Sequence, residues 1–263
     1  MGGTAARSFC SSPLFTPQDI TVTARHQSTL DNFKDTGINT GLDNREAVKS
    51  ADIIILAVRP EDAETVSREV ASVLDFSNQI VISFIAGISS SRYVEWFDNT
   101  DSDRMSVGMT IPNFFLAMPN TAMELNESLT FITPIHATPV QISLVKAIFD
   151  SVGKSLIVDE DMMNAGMALA SCGVAYAMKY ILASVEGGCK LGFRREDAIK
   201  VVVQTVKGAS MLVAAHGTNP SVEIAKIATP GGYTEKGLRA FENSDFTEIV
   251  LKALKLSSAV DVD

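Results

Sequence analysis

Ile53-Ile54-Ile55-Leu56-Ala57-Val58-Arg59-Pro60 is the stretch that decides the fold. Six apolar residues in a row, with no polar alternation, predict a strand buried on both faces, as in parallel sheets. Pro60 stops the run, and residues 61–74 continue with helical periodicity. The alternation extends in both directions. Upstream, residues 20–24 are a short β-branched run and 27–34 read as a helix. Downstream, residues 79–85 form another buried strand, ended by Gly87. Residues 114–118, 129–133 and 154–158 read as further strands, with a helix at 140–151. Strands alternating with helices predict an α/β fold with a doubly wound, mainly parallel sheet.

After about Asp159 the strands stop. Residues 162–191, 194–215, 221–228, 234–243 and 246–260 read as helices, punctuated by Gly192, by Gly217 with Pro220, and by Gly231-Gly232. The expected organisation is a Rossmann-like nucleotide-binding domain over residues 1–159 and an all-α domain over 160–263. Residues 165–185 are long and apolar enough to raise a membrane span. They contain Ser171, Gly173, Lys179 and Ser184, however, so a helix buried in a domain core or a dimer is expected instead. That much apolar helical surface predicts a homodimer, with higher assembly open.

The composition is that of a globular chain, with 46% hydrophobic and 20% charged residues among 263. A net charge of −9 argues against a nucleic-acid or anionic-membrane partner, though not against a local basic pocket. Cys10, Cys172 and Cys189 are scattered and lack C-x-x-C spacing. Neither disulfides nor a zinc site is expected, and a reducing, cytoplasmic setting is. His26, His136 and His216 lie far apart and form no metal motif.

A doubly wound sheet takes its ligand beyond the carboxyl ends of its strands. The usual phosphate loop, G-x-G-x-x-G, follows the first strand. This chain opens on Met1-Gly2-Gly3-Thr4-Ala5-Ala6-Arg7, which reads as the tail of such a loop, with residues 5–10 as the helix after it. One reading places the first strand and first glycines, roughly ten residues, upstream of Met1 in an otherwise normal protein. Another is a paralogue that lacks them and holds a nucleotide poorly. A third takes residues 1–15, with Arg7, several serines and no acid, as a transit peptide.

At the end of the next strand, where an acid would hold the ribose 2′-hydroxyl of NAD, stand Arg25 and His26. The planar fork of Arg25 suits a 2′-phosphate, which points to NADP; a solvated surface arginine is the alternative. Ala57-Val58-Arg59-Pro60, Ala86-Gly87-Ile88-Ser89 and Met118-Pro119-Asn120-Thr121 each end a strand in a small, polar-tipped exit where cofactor contacts concentrate. Thr229-Pro230-Gly231-Gly232-Tyr233-Thr234 sits between two helices. Two glycines and a proline favour either an ordinary turn or a nest of bare N–H groups that suits a carboxylate.

These segments in this order resemble the pyrroline-5-carboxylate reductases, along essentially the whole chain. Ser171-Cys172-Gly173-Val174-Ala175-Tyr176 and the 229–234 loop complete the match, the loop being the most specific part. The resemblance implies NADPH-dependent reduction of 1-pyrroline-5-carboxylate to L-proline, with NADH also usable, in interlocked helical dimers. It places substrate between the nicotinamide and the Pro-Gly-Gly loop. Thr234 matches the hydroxyl that meets the substrate nitrogen, and is the catalytic candidate. Thr229, Gly231 and Gly232 lie where the carboxylate is held. Met1, Gly2, Arg25, Ala57, Val58, Arg59, Pro60, Ala86, Gly87 and Asn120 match cofactor contacts, Arg25 at the 2′-phosphate and Asn120 beside the nicotinamide. Reduction of a cyclic imine can proceed from a nitrogen already protonated, so no dedicated general acid is required.

The chain departs from the family pattern at several places. Leu116 stands where the family usually has Arg, Ala122 and Val174 where it has Pro, and Tyr233 where it has a smaller residue. The segment 98–115 is longer than usual and carries a near-duplicate, Ile111-Pro112-Asn113, of the Met118-Pro119-Asn120 run. Alternative functions are a reductase of another small imine or 2-oxo acid, and a catalytically impaired dimeric paralogue that binds a metabolite or partner.

Overall fold

A computed structural model describes residues 1–98, 111–217 and 219–258. They form two compact units, Met1–Ser171 and Cys172–Asp263. The first unit alternates strand and helix. Its strands are β1 (Thr21–Thr23), β2 (Asn39–Gly41), β3 (Ile53–Leu56), β4 (Ile80–Ser83), β5 (Asn113–Met118), β6 (Ser128–His136) and β7 (Gly153–Ile157). Its helices are α1 (Gly2–Cys10), α2 (Gln27–Leu30), α3 (Asn44–Lys49), α4 (Ala63–Ala71), α5 (Ser90–Phe97), α6 (Pro139–Asp150) and α7 (Met163–Gly166). A π-helical stretch, Met167–Cys172, follows α7.

The sheet lies in two pieces. β1 pairs with β2, and β3-β4-β5-β6-β7 form a five-stranded sheet, each in that order. Every pairing is parallel except β5 with β6. The expectation of a mainly parallel, doubly wound sheet holds. Helix α1 packs against both pieces. Its Ala6 meets Phe33 and Ile38 beside Ile20 and Val22, while Ala5 and Phe9 join Ile80, Ile82 and Phe115.

The opening stretch is a strand, but its burial differs from the expectation. Ile54 and Leu56 are buried, whereas Ile53 and Ile55 are half-buried. The reason is position: β3 ends the five-stranded sheet and has a strand on one side only among the described residues. The strand enclosed on both faces is β4, whose four residues are all buried between β3 and β5.

The entrance to β4 is pinned by a buried side chain. Gln79 Nε2 donates to the carbonyls of Val48 and Ala51, at 2.6 Å each, and Gln79 Oε1 accepts from Asp75 N at 2.8 Å. The Gln79 carbonyl in turn accepts from Asn113 Nδ2 at 3.1 Å, at the start of β5. Through its side chain and its carbonyl, Gln79 thus ties the end of α3, the turn before β4 and the start of β5 together at the amino-terminal edge of the sheet.

The second unit is helical: α8 (Gly173–Lys190), α9 (Arg195–His216), α10 (Pro220–Ile227), α11 (Tyr233–Glu242) and α12 (Phe246–Ser258). By length and composition alone, the continuous helical run Glu160–Lys190 and helix α9 could cross a membrane. The expectation that residues 165–185 are buried in a domain core is not met within one chain. In α8 only Val185 is fully buried, and Met178 and Leu182 of α8 and Val201 and Leu212 of α9 expose apolar surface. A helix that is apolar around its circumference needs a cover beyond its own unit.

Replacing Gln79 by Leu leaves the part-buried Ala51 carbonyl and Asp75 N–H without this partner, and leaves the Val48 carbonyl with Ala51 N alone. Urea unfolding should show a loss of about 2–3 kcal/mol, in the range for groups left without a partner.

Candidate active site

The exits of the parallel strands gather on one edge of the first unit. A cavity of ≈ 200 Å³ opens there, lined by residues 83–89 at the end of β4, by Leu116, Ala117 and Met118 of β5, and by Glu160, Met163 and Asn164. It is smaller than the roughly 300–1,000 Å³ of sites that enclose a whole drug-sized ligand, and offers room for a ring rather than a dinucleotide. Two contacts shape its walls. Ser83 Oγ lies 2.6 Å from Tyr93 OH and accepts from Ile85 N at 3.1 Å, turning the chain at the end of β4. Burial pushes the Tyr93 hydroxyl above its ordinary pKa, keeping it a neutral partner for Ser83. Glu160 accepts from both Ser90 N, at 2.7 Å, and Ser90 Oγ, at 2.5 Å, anchoring the start of α5 to the far wall.

Of the expected cofactor residues, Ala86 and Gly87 line this cavity. Met1 and Gly2 sit at the start of α1, against the end of β3. A Cβ on Gly2 would lie 2.9 Å from that of Ala57, so the helix terminus approaches this strand exit as closely as only glycine allows. No side chain caps α1. Its first N–H groups therefore offer the dipole-backed donors that anions take at helix starts. Ala57, Val58, Arg59 and Pro60 follow directly from β3. Arg25, just past β1, reaches the same edge: its Nη2 meets Asp62 Oδ1 at 2.5 Å. Arg59 pairs with Glu61 at 3.2 Å and comes within 3.9 Å of Asp62.

Asn120 is buried and its side chain is engaged. Oδ1 accepts from Ala122 N at 2.9 Å and Nδ2 donates to Ala170 O at 3.3 Å. The structure also separates the two near-duplicate runs. Asn113 stands opposite Ile80 at the amino-terminal edge, while Asn120 follows the carboxyl end of β5. Residues 99–110 of the long segment lie outside the described residues. The sequence reading missed Glu160, Met163 and Asn164, because a contact across seventy residues leaves no local pattern. Leu116, noted there as a departure, lines the cavity.

The 229–234 loop lies in the second unit. Gly231 takes φ +72°, which only glycine adopts without strain, and a Cβ on Gly232 would lie 2.6 Å from Thr229 Oγ1. The expected run of bare N–H groups needs correcting. Gly231 N donates to Glu235 Oε2 at 2.6 Å and Gly232 N to Thr229 O at 2.9 Å. The cause is the first turn of α11. Gly232 begins that helix, and Glu235, three residues on, folds back over the orphan donors as in a capping box. Arg239 holds the other carboxylate oxygen at 2.8 Å. Thr229 and Thr234 are exposed, and Tyr233 is 93% exposed with Lys236 over its ring.

Strand exits gathered on one edge of a mainly parallel sheet are the arrangement of Rossmann-class dinucleotide domains. Residues 160–261 match the family described as pyrroline-5-carboxylate reductase dimerisation, and residues 1–87 that described as NADP oxidoreductase coenzyme F420-dependent. The Arabidopsis thaliana pyrroline-5-carboxylate reductase is 31% identical over 97% of this chain and 88% of its own length. Pyrroline-5-carboxylate reductase 1 of Dictyostelium discoideum is 30% identical over 98% of this chain, which spans only 47% of that relative. A solved Plasmodium falciparum pyrroline carboxylate reductase with NADP bound shares the fold, with a TM-score of 0.85 at 23% identity, over 98% of this chain and 92% of that one. The chain belongs to the pyrroline-5-carboxylate reductase family.

The Gly231 N–H, followed by Arg239, holds the Glu235 carboxyl below its ordinary pKa. A depressed folded-state pKa means the contact is complete above the usual glutamate range and is lost as pH falls through the folded value. An NMR titration of the Glu235 carboxyl should show a midpoint below that of a free glutamate, with the Gly231 amide shift moving in step. In Glu235→Gln the pH-dependent movement at Gly231 should vanish.

Proposed function

We propose that this chain reduces 1-pyrroline-5-carboxylate to L-proline with NADPH, NADH serving as an alternative. The observation that carries the reading is the contact between Gly231 N and a carboxylate oxygen at 2.6 Å. It supports the loop as a hydrogen-bond donor to a carboxylate, in a chain of this family whose first unit carries the exits and cationic edge that suit a dinucleotide.

In this reading the loop binds and orients. Gly231 and Gly232 present N–H groups, and Thr229 a hydroxyl, to the substrate carboxylate, which replaces Glu235 at Gly231 N and the Thr229 carbonyl at Gly232 N. Thr234, exposed in the first turn of α11, hydrogen-bonds the ring nitrogen and selects the reacting face. Met1, Gly2, Ala57, Val58, Arg59, Pro60, Ala86 and Gly87 hold the cofactor along the strand exits, with Arg25 at its 2′-phosphate. Asn120 acts beside the nicotinamide by fixing the exit of β5. NADPH, when bound, supplies the hydride that the imine carbon takes up. The nitrogen enters as the protonated iminium, so the C=N π electrons return to it as hydride arrives, and the amine forms without a protein acid. The rate then comes from position, with reacting atoms about 3–3.5 Å apart.

A second reading, reduction of another small imine or a 2-oxo acid, is favoured by Leu116, an apolar residue on the cavity wall where the family usually has arginine. Turnover of pyrroline-5-carboxylate, compared with that of carboxyl-free pyrroline and of a small 2-oxo acid, separates the two, since the first reading expects reduction of pyrroline-5-carboxylate alone. The proposal includes a cytoplasmic setting, which the scattered, unbridged cysteines support.

The functional unit in this proposal is a homodimer that covers the apolar faces of α8 and α9. Light scattering at micromolar concentration should return twice the chain mass; a monomer would overturn the assignment. Thr234→Ala should lower kcat/KM for pyrroline-5-carboxylate about tenfold, the scale of one hydrogen bond to a charged group. Unchanged kcat and KM in a fully folded preparation would remove Thr234 from the site.

A further inference from the structure

The cationic edge of the first unit is internally neutralised, and by an unequal division of contacts. Arg25 donates to Asp62 at 2.5 Å. Arg59 faces Glu61 at 3.2 Å and is further from Asp62, at 3.9 Å. The Arg25 side chain is 61% exposed and that of Asp62 only 24%. Asp62 is therefore the fixed member, and Arg25 the one that can turn to an incoming anion. Asp62 precedes α4, but its side chain caps no N–H of that helix. Its carboxylate is committed to the arginines rather than to the helix start.

The geometry points to Asp62 as the residue that sets cofactor preference, an inference that rests on Arg25 being the 2′-phosphate contact. A 2′-phosphate reaching Arg25 must share or displace the guanidinium from Asp62, and then stands beside a like charge. A 2′-hydroxyl faces no such conflict, because it can donate to the carboxylate while Arg25 stays paired. In nucleotide folds that favour NAD, the acid for this hydroxyl comes from the end of the second strand. Here that position belongs to Arg25, and a carboxylate arrives from the segment after β3 instead. One pair thus holds both recognition elements: the cation for NADPH and the anion for NADH. Asp62 keeps Arg25 aligned, weakens NADPH by competition, and supports NADH. The preference for NADPH is narrower than Arg25 alone would give.

The experiment measures dissociation constants for NADPH and NADH directly, by calorimetry and by quenching of Trp96, which lies buried in the same unit. It compares the unaltered chain with Asp62→Asn, Arg25→Ala and Glu61→Gln, each checked for an unchanged melting temperature. Asp62→Asn should tighten NADPH about three- to fivefold, the scale of an exposed ion pair, and should not tighten NADH. Glu61→Gln removes the same charge from Arg59 only and should move NADPH less. Raising salt should shrink the difference between Asp62→Asn and the unaltered chain. If Arg25→Ala weakens NADPH while Asp62→Asn leaves it unchanged or weaker, the inference fails and the placement of Arg25 stands. If Arg25→Ala leaves NADPH unaltered, or the unaltered chain binds no NADPH, the placement of Arg25 fails and the inference with it.

Discussion

The first unit depends on one enclosed strand. Ile80, Val81, Ile82 and Ser83 are all buried, with parallel neighbours on both sides and helices over both faces. A strand in that position has no solvent to satisfy a stray backbone group, so its register leaves little freedom. Both ends are fixed by side chains: Gln79 clips the entrance to the turn before β3 and to β5, and Ser83 with Tyr93 fixes the exit. Because β3, β4 and β5 run parallel, that register delivers residues 57–60, 84–89 and 119–121 to the same edge. The site is a consequence of pairing direction, and its shape follows from where β4 stops.

The charges at this edge and at the 229–234 loop share a design that the net charge of −9 would not announce. In each place the group suited to an anion is held by a carboxylate of the chain itself. Asp62 holds Arg25, Glu61 holds Arg59, and Glu235 holds both the Gly231 amide and Arg239. Exposed pairs of this kind are too weak to lock a site. They are strong enough to keep a guanidinium or an amide oriented. A ligand's phosphate or carboxylate must share or displace these partners, so each pair reduces what the anion gains on binding. Internal carboxylates of this strength keep those groups aligned and compete with an incoming anion for them.

Most of the architecture was legible because burial writes itself into apolar runs. Residues 53–56, 80–83 and 113–118 needed no other signal, and the end of such runs after about residue 159 marked the helical half. What escaped was written in backbone and distance. β2, Asn39–Gly41, has no strand composition and exists because its backbone pairs with β1. Helix α3 could have been found, since Asp43 accepts from Arg45 N and Glu46 N as a helix-starting aspartate does. The loop was misread in one respect for a similar reason. Glu235 lies three residues after the helix-starting Gly232, the spacing at which a glutamate reaches back to free donors, so the occupied amide was also encoded. Glu160 on Ser90 had no local signature at all. The half-burial of Ile53 and Ile55 depended on neighbours in the sheet, which no run of residues specifies.

Asn120, proposed to act beside the nicotinamide, can do so without offering its side chain. Its amide spans two elements, capping the turn at Ala122 and donating to the Ala170 carbonyl in the π-helical stretch before α8. Its backbone N–H is also used, on Ser128 Oγ at 3.1 Å, and its carbonyl accepts from Met123 N. With both side-chain ends and both backbone groups engaged, Asn120 positions the exit of β5. The irregular helix belongs to the same arrangement. Gly166 lies so close to the Phe131 ring that a Cβ there would meet it at 2.8 Å, bringing the backbone ahead of the π segment hard against β6. A wider turn after that contact places Ala170 where the Asn120 amide can reach it. The run Met118-Pro119-Asn120 and the segment ending at Ser171 are therefore one structural device within the first unit. Its product is a fixed strand exit beside the cavity, and the residues that do the fixing are distinct from those left free to meet a ligand.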